Sequence, residues 1–480
     1  MSADAKPLSV WLKSAYGFGS VAYGVKNNGF DYFLLLFYSQ VIGLDARLVG
    51  IAITTALVFD AVSDPIVGYW SDNLRSRWGR RHPFMYVAAL PVALSYFLLW
   101  NPPLEWSAAG QFWYLLVLAV FIRTFITLYE TPSSALAPEL TEDYVERSSL
   151  ISFRYYFGWT GGNAMTVMMF FFIFPALATA AVPDGRFNRD SYEILGIVGS
   201  MLIFVSIIVS AAGTHSRIPH LKPPPAARKM TLGTIFREII ETLANRSFVA
   251  LFVGALLGAI ATGLAAALAF YFYTYFWEFS STETGIITMG VFIAAIIGFV
   301  LAPIVTRTVG KKRGAIITGL VAFLGAPLPV FLRLIGVLPE NGTPFVFWFV
   351  FVTGVLDVGL IICFQILYSS MTADLVEQAE LKTGRRSEGI FFSTVTFVRK
   401  TVQGLGLMVA SFVLYMADFP AGATVDEVTD EAVWRLGAYY VPTILTLWLS
   451  MMAVISMYRL DQEEHEENLR QLAENRASGG

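Results

Sequence analysis

Residues 48–71 read LVGIAITTALVFDAVSDPIVGYWS, and this stretch decides the fold of the chain. It is long and apolar enough to cross the core of a bilayer, which takes about 20 residues of α-helix. It nevertheless carries Asp60, Ser63 and Asp64. A carboxylate at membrane depth is costly unless it is paired or hydrated, and is therefore a functional candidate. We predict a transmembrane helix with a functional site inside it.

Similar apolar runs recur along the whole chain. Of its 480 residues, 56% are apolar and only 14% are charged, whereas a soluble domain carries roughly a quarter charged residues. We count about twelve spans of sufficient length. The predicted spans are 16–40, 48–71, 84–100, 111–136, 153–179, 193–213, 248–277, 284–307, 314–337, 343–371, 389–417 and 435–458. The sequence predicts an all-α polytopic membrane protein, because β-barrel strands would appear as short alternating segments.

Lysine and arginine concentrate in alternate loops. The basic loops contain Arg75, Arg77, Arg80 and Arg81; Arg217, Lys222, Arg228, Lys229 and Arg237; Lys311, Lys312 and Arg313; and Lys382, Arg385 and Arg386. Loops rich in these residues stay on the cytoplasmic side. We expect both termini to be cytoplasmic.

The two halves of the sequence repeat each other weakly at an offset of about 236 residues, as expected for transporters built from duplicated bundles. Pro65-Ile66-Val67, for example, matches Pro303-Ile304-Val305. We predict a six-helix bundle in residues 1–213, a cytoplasmic linker in 214–247, a second six-helix bundle in 248–458 and a cytoplasmic tail in 459–480. Two such bundles can rock about a site between them.

Several chemistries lack their usual residues. Cys363 is the single cysteine, which excludes disulfides and thiolate metal sites, and no HExxH, Walker or Rossmann motif occurs. No nucleophile and base are arranged as in an enzyme. We expect no enzymatic activity, no organic cofactor and no nucleic-acid partner.

Oxygen-bearing side chains are grouped on two predicted spans. Asp60 and Asp64 are four residues apart, and so are on one helical face. Thr127 and Glu130 share a face of the fourth span. Two close carboxylates in a low dielectric bind a cation between them or take up a proton. We predict that Asp60, Ser63, Asp64, Thr127 and Glu130 bind a cation. The structural alternatives are that Asp60 or Asp64 pairs with a loop arginine and that Glu130 pairs with Arg123 or Arg154.

Further polar residues in or near the spans are candidates for substrate binding. Lys400 lies one turn beyond Thr396, Arg154 begins the fifth span, and Asn27 and Asp31 are four residues apart on the first. Such groups bind hydroxyls or acids through charge-assisted hydrogen bonds. For Lys400, snorkelling or neutralising a carboxylate is the alternative.

Residues 60–68, DAVSDPIVG, followed by Ser71-Asp72 and by RWGRRHP at 77–83, resemble a family signature. Further matching motifs are YGFG at 16–19, TLYETP at 127–132, APELT at 137–141 and ADLVE at 373–377. On these motifs the sequence is similar, over almost its whole length, to the glycoside–pentoside–hexuronide:cation symporters of the major facilitator superfamily. The resemblance implies the major facilitator fold, with twelve transmembrane helices in two six-helix bundles, and symport of a sugar or glycoside coupled to Na⁺, H⁺ or Li⁺. We expect a monomer in a bacterial cytoplasmic (inner) membrane.

The resemblance also implies roles for individual residues. It assigns the coupling cation to Asp60, Asp64, Glu130 and Thr127, with Na⁺ bound by the three carboxylates if sodium couples. It assigns the substrate to Arg154, Thr396 and Lys400 and to the shared Glu130. The loop from Asp72 through Arg77, Arg80 and Arg81 resembles the gating motif of the superfamily.

The chain departs from the family pattern at three substrate positions. The galactoside-binding aspartate of helix one aligns with Gly24, and tryptophans of helices four and ten align with Ser134 and Gln365. Galactoside specificity is therefore not expected, and Asn27, Asp31 and Gln365 are the replacement contacts that we predict. Because sodium-coupled lysolipid carriers resemble the same family, lysolipid transport is the alternative function, and a non-transporting receptor is a third.

Overall fold

The computed structural model describes residues 8–141, 144–221, 246–383 and 405–457 of the chain. Within these ranges the regular elements are helices, most of them long. Nine of them, by length and composition, are able to cross a membrane. Together with the broken first span, the helix Ala46–Asn73 and the shorter helix Leu405–Met416, they correspond to the predicted spans, except that residues 389–404 of the eleventh span lie outside the described part of the chain.

The first half begins with a broken span, which is followed by five longer ones. Its helices are α1 (Val10–Phe18), α2 (Val21–Asn28), α3 (Leu34–Leu36), α4 (Ala46–Asn73), α5 (His82–Leu99), α6 (Ala108–Leu140), α7 (Tyr144–Met168), α8 (Phe174–Ala176) and α9 (Arg189–His215). Turns of π-helix at Gly29–Phe33, Phe37–Val41 and Met169–Ile173 continue these helices. Such turns interrupt α-helices frequently at functional sites.

The second half has a similar sequence of helices. They are α10 (Arg246–Tyr271), α11 (Ser281–Val309), α12 (Lys311–Gly325), α13 (Leu328–Leu334), α14 (Pro344–Thr383), α15 (Leu405–Met416) and α16 (Asp430–Ser456). A π-helical turn at Phe272–Phe276 extends α10. In this half α14 packs along both α11 and α12, and α16 packs along α10.

The first span is not one continuous helix, although the sequence predicts it as a single run. It breaks between Phe18 and Val21. A Cβ placed on Gly19 would lie 1.7 Å from the Tyr129 hydroxyl oxygen and 2.5 Å from the Ser210 Cβ. Only glycine lets these two side chains approach the backbone so closely.

The two halves meet through polar contacts at the end of the molecule opposite to the loop 74–81. The Gln40 side chain donates to the carbonyl oxygen of Pro420 at 3.3 Å and accepts from the Ala423 N–H at 3.2 Å. Arg186 Nη1 donates to Thr274 Oγ1 at 2.9 Å. We call these five residues the interhalf latch. The latch closes this end of the interface between the halves.

Candidate functional site

Two carboxylates and one hydroxyl meet where α4 packs against α6. Thr127 Oγ1 lies 2.8 Å from Asp60 Oδ1 and 2.8 Å from Asp64 Oδ1. Thr127 is fully buried and Asp60 is 5% exposed, whereas Asp64 is half-buried. The spacing of four residues places both carboxylates on the α4 face that contacts α6. The structure thus brings together three of the five predicted cation ligands.

The short contacts of Thr127 restrict the protonation of this cluster. A hydroxyl carries a single proton and can therefore donate to only one of two acceptors at a time. Its oxygen accepts from the other carboxyl group when that group is itself protonated. With both carboxylates ionised, one 2.8 Å contact would place two lone pairs against each other. The geometry consequently suits a cluster that holds either one proton or a cation between its oxygens.

Arg123 supplies a fixed positive charge to the same cluster. Its Nη1 lies 3.4 Å from Asp60 Oδ2, and both side chains are buried. The guanidinium also interacts electrostatically with Asp64 and Asp31. Asp60 and Asp64 each carry one negative charge when ionised, and Arg123 carries one positive charge. These three side chains together therefore have one net negative charge. A single monovalent cation or proton is sufficient to neutralise it.

The other two predicted ligands are placed differently. The Ser63 hydroxyl donates to the Asp60 backbone carbonyl at 3.0 Å, as serine often does within a helix. Glu130 interacts electrostatically with Arg154. Among the residues that the structure describes, no three His, Cys, Asp or Glu side chains form a group able to hold a metal ion. The site assembled in this conformation is therefore two carboxylates and a hydroxyl, without Glu130.

Arg154 is anchored by hydroxyl groups. Its Nη1 donates to the Tyr16 hydroxyl oxygen at 3.0 Å, and its Nη2 donates to Ser134 Oγ at 2.9 Å. The guanidinium also lies 5.5 Å from the centre of the Tyr16 ring. Its planar fork of donors is thereby held in one orientation. This arrangement presents a fixed cationic group on α7, next to the negative charge of Glu130 on α6.

Two cations lie near the ring of Phe30, one from the first span and one from α6. Lys26 Nζ is 6.0 Å from the centre of the Phe30 ring, and the Arg123 guanidinium is 5.0 Å from it. Asp31, which follows Phe30, is half-buried and interacts electrostatically with Arg123. Asn27 is also half-buried, and among the described contacts it makes no hydrogen bond. The structure therefore places Asp31 next to the Asp60–Asp64 cluster and leaves the Asn27 amide available to a ligand.

The three departures from the family pattern have structural counterparts. A Cβ on Gly24 would lie 2.0 Å from the carbonyl oxygen of Gly158, because α2 and α7 cross there. No aspartate can occupy this position without separating the two helices. Ser134 binds Arg154, and Gln365 is exposed on α14.

The basic loop between α4 and α5 is bound to the end of α6. Arg80 Nη2 and Arg81 Nε both donate to Glu139 Oε1, at 2.7 and 3.1 Å, and Arg81 also donates to Ser71. Arg77 is exposed and lies near Trp78. The Asp72 side chain, Thr396 and Lys400 lie outside the described part of the structure. Arg80 and Arg81, two of the four predicted gating residues, therefore link this loop to α6, and both elements belong to the first half.

Sequence reasoning overlooked several members of these groups. Lys26 and Asp357 lie in predicted spans, and their charges alone could have identified them. Glu139 lies in the APELT motif at 137–141, which does not by itself indicate an ion pair. Arg123 was considered as a partner of Glu130, whereas the structure pairs it with Asp60. Such pairings depend on the rotation of each helix, which the sequence does not show.

Residues 15–462 match the family described as MFS/sugar transport protein. An uncharacterised symporter of Synechocystis sp. is 34% identical, over 44% of this chain and 38% of its own length. A putative glycoside/cation symporter of Escherichia coli, YagG, is 24% identical over 98% of this chain and 96% of its own length. The sodium-dependent lysophosphatidylcholine symporter 1-A of Danio rerio is 24% identical over 97% and 89%.

Solved structures share the fold at low sequence identity. A bacterial homologue of the iron transporter ferroportin, in an inward-facing state, has a TM-score of 0.64 at 12% identity, over 94% of this chain and 99% of that one. The likeness shows the fold, which is that of major facilitator transporters.

Proposed function

Because this chain belongs to the MFS/sugar transport protein family, we propose that it is a secondary transporter that carries a sugar or glycoside together with Na⁺ or H⁺. The family resemblance read from the motifs is confirmed by this match and by relatives named as glycoside/cation symporters. Membership of a transporter family also supports the expectation that the protein is not an enzyme.

One observation carries the proposal: Asp60 and Asp64 share the Thr127 hydroxyl at 2.8 Å beside Arg123. The cluster binds one monovalent cation or one proton, because either neutralises its excess negative charge. Glu130, on the next turn of α6, joins the ion or the substrate when the halves move. An ion bound here draws α4 and α6 together and thereby changes the position of Arg154 and Glu130. This is the coupling between ion and substrate.

The substrate is bound by Arg154, Glu130, Asn27 and Asp31 from the first half, with Gln365, Thr396 and Lys400 from the second. Hydroxyl groups of a sugar accept from the Arg154 fork and donate to carboxylates, and charge-assisted hydrogen bonds of this kind are strong. The substrate is not a galactoside bound in the family's usual way, since the Gly24 position is filled by the Gly158 backbone.

Lysolipid transport is the second candidate, favoured by a relative named as a sodium-dependent lysophosphatidylcholine symporter. Serine and glutamine at positions 134 and 365 provide no aromatic surface on which a sugar ring stacks. The Arg154 guanidinium would then bind a phosphate, for which its bidentate fork is suited.

The protein is integral to the membrane, and we place it in a bacterial cytoplasmic membrane as a monomer with both termini in the cytoplasm. The loop 74–81 is then cytoplasmic, and the interhalf latch closes the outer side. Arg77, Arg80 and Arg81, with Asp72, act as the cytoplasmic gate. The segments 1–213 and 248–458 are the two moving bundles, joined by the linker 214–247 and followed by the tail 459–480.

The experiment begins by screening sugars, glycosides and lysolipids for thermal stabilisation of the purified protein, with and without sodium. The best ligand is then followed into proteoliposomes under sodium, proton or no gradient. We expect uptake that requires one of the gradients and is lost in Asp64→Ala but not in the exposed control Asp190→Ala. Uptake that proceeds equally without gradients and in Asp64→Ala refutes ion coupling, and stabilisation by lysolipids alone selects the second candidate.

A further inference from the structure

A second carboxylate site lies in the other half of the chain. Asp357 is in the middle of the candidate membrane span Pro344–Ser369 of α14. The residue as a whole is half-buried, but its Oδ1 is buried and has no hydrogen-bond partner among the described residues. A Cβ placed on Gly325, at the end of α12, would lie 3.3 Å from this oxygen. The carboxyl group therefore points into the packing between α14 and α12.

No cation faces this carboxyl group in the part of the chain that the structure describes. The helices packed along α14 carry their charged residues near their ends. These are Glu283 and Arg307 on α11, Lys311, Lys312 and Arg313 on α12, and Arg333 on α13. The titratable group that interacts with Asp357 is the Tyr440 phenol on α16, which in turn interacts with Tyr273. Asp357 thus interacts with one phenol, that of Tyr440, and has no ion-pair partner among the described residues.

A buried carboxylate without a partner is far more costly than a buried carboxylic acid. A metal cation does not solve the problem, because hard cations need several oxygen ligands, and among the described residues no three His, Cys, Asp or Glu side chains form a group able to hold one. A proton requires a single oxygen. We propose that Asp357 is a proton-binding site of the second half, separate from the cluster of Asp60 and Asp64, and is protonated in the conformation described here.

Proton binding at this site depends on the packing of α12 against α14. When these helices separate and water reaches Asp357, the carboxylate is solvated and the proton leaves. The proton returns to the carboxylate when the helices close, with no other bond made or broken. Because α12 and α14 both belong to the segment 248–458, this opening is a movement within the second bundle, and its pH dependence does not pass through the ion cluster of the first half.

The test compares Asp357→Asn, which has the shape of the neutral acid, with Asp190→Asn, which changes an exposed aspartate at the start of α9. Infrared difference spectra of the purified full-length protein are recorded between acidic and alkaline pH. We expect a carbonyl band of a protonated carboxyl group at neutral pH that is lost in Asp357→Asn and kept in Asp190→Asn. An unchanged band in Asp357→Asn overturns the proposal.

Thermal unfolding gives an independent readout. The folded protein holds a proton that the unfolded chain releases at neutral pH, so the stability of the wild type falls as pH rises. Asp357→Asn has no such proton to release, so its stability does not fall in this way. We expect its Tm to exceed that of the wild type by an amount that grows with pH. The difference should vanish near pH 4, where the carboxyl group of the unfolded chain is also protonated. A Tm of Asp357→Asn below wild type at every pH overturns the proposal. Neither measurement needs a transported substrate, so failure here leaves the proposed symport untouched.

Discussion

Replacing Thr127 by valine tests the ion cluster most directly. Valine keeps the shape of threonine but removes the hydroxyl that lies 2.8 Å from both Asp60 and Asp64. With sodium bound, both carboxylates are ionised and the hydroxyl, which has one proton, donates to only one of them, so the substitution removes one strong hydrogen bond rather than two. A hydrogen bond to a charged group contributes roughly 1.5–3 kcal/mol. At about 1.4 kcal/mol per factor of ten, the affinity for the coupling ion should fall roughly tenfold to a hundredfold.

Thermal unfolding at increasing sodium concentration measures this loss without any substrate. An ion at a hundred times its Kd stabilises the folded protein by about 2.7 kcal/mol, and a hundredfold weaker Kd leaves only about 0.4 kcal/mol at the same concentration. If the wild type responds to pH instead of sodium, the same comparison is made with the proton as the ligand. Choline replaces sodium as the ionic-strength control.

Thr127→Ser is the matched control, because serine keeps the hydroxyl and loses a methyl group. We expect it to bind the ion nearly as well as the wild type. The reasoning is refuted if Thr127→Val responds to sodium and to pH as the wild type does. Equal losses in the valine and serine variants would show that packing, and not the hydroxyl, holds the cluster together.

Three further substitutions test the cation beside the ion cluster, the substrate-binding arginine and the interhalf latch. Arg123→Leu leaves Asp60 buried and unpaired, so stability in chemical unfolding should fall by roughly 3–5 kcal/mol, and adding Asp60→Asn should restore part of it. Arg154→Lys keeps the charge but loses the planar fork, and we expect KM for the substrate identified in the screen to rise about tenfold at similar protein stability. Gln40→Ala weakens the interhalf latch, and labelling of a cysteine introduced at Ala423 in a Cys363→Ser background should become faster than with Gln40 intact. Unchanged labelling would show that the latch does not hold this end closed.

Some of the site follows from residue chemistry and spacing alone. Asp60 and Asp64 stand four residues apart, and so they share a helix face wherever that helix packs. Thr127 follows from the same reasoning on the fourth span. Arg123 as the partner of Asp60 does not, because the sequence offers Arg123 and Arg154 as alternative partners of Glu130 and neither of them as the partner of Asp60. The structure resolves this choice by the rotation of α6 about its axis, which turns Arg123 toward α4.

Gly24, which stands where the family has a substrate-binding aspartate, shows a second limit of prediction from the sequence. From the sequence, Gly24 is only a missing substrate ligand. In the structure the Gly158 carbonyl oxygen is within 2.0 Å of where a Cβ would stand, so the position belongs to the contact between α2 and α7. The glycine is required by packing between helices that are more than a hundred residues apart in sequence.

The sequence by itself determined that this chain is an all-helical membrane protein and that carboxylates lie at membrane depth. Hydropathy and helical periodicity depend on residues that are close in sequence, so they identify a membrane-spanning helix without the rest of the fold. Only the tertiary structure decided which charges meet: Arg123 with Asp60, Arg80 and Arg81 with Glu139, and Asp357 with no cation at all among the described residues. These outcomes depend on how each helix is rotated and how closely it approaches the next, and that is set by the packing of the whole bundle.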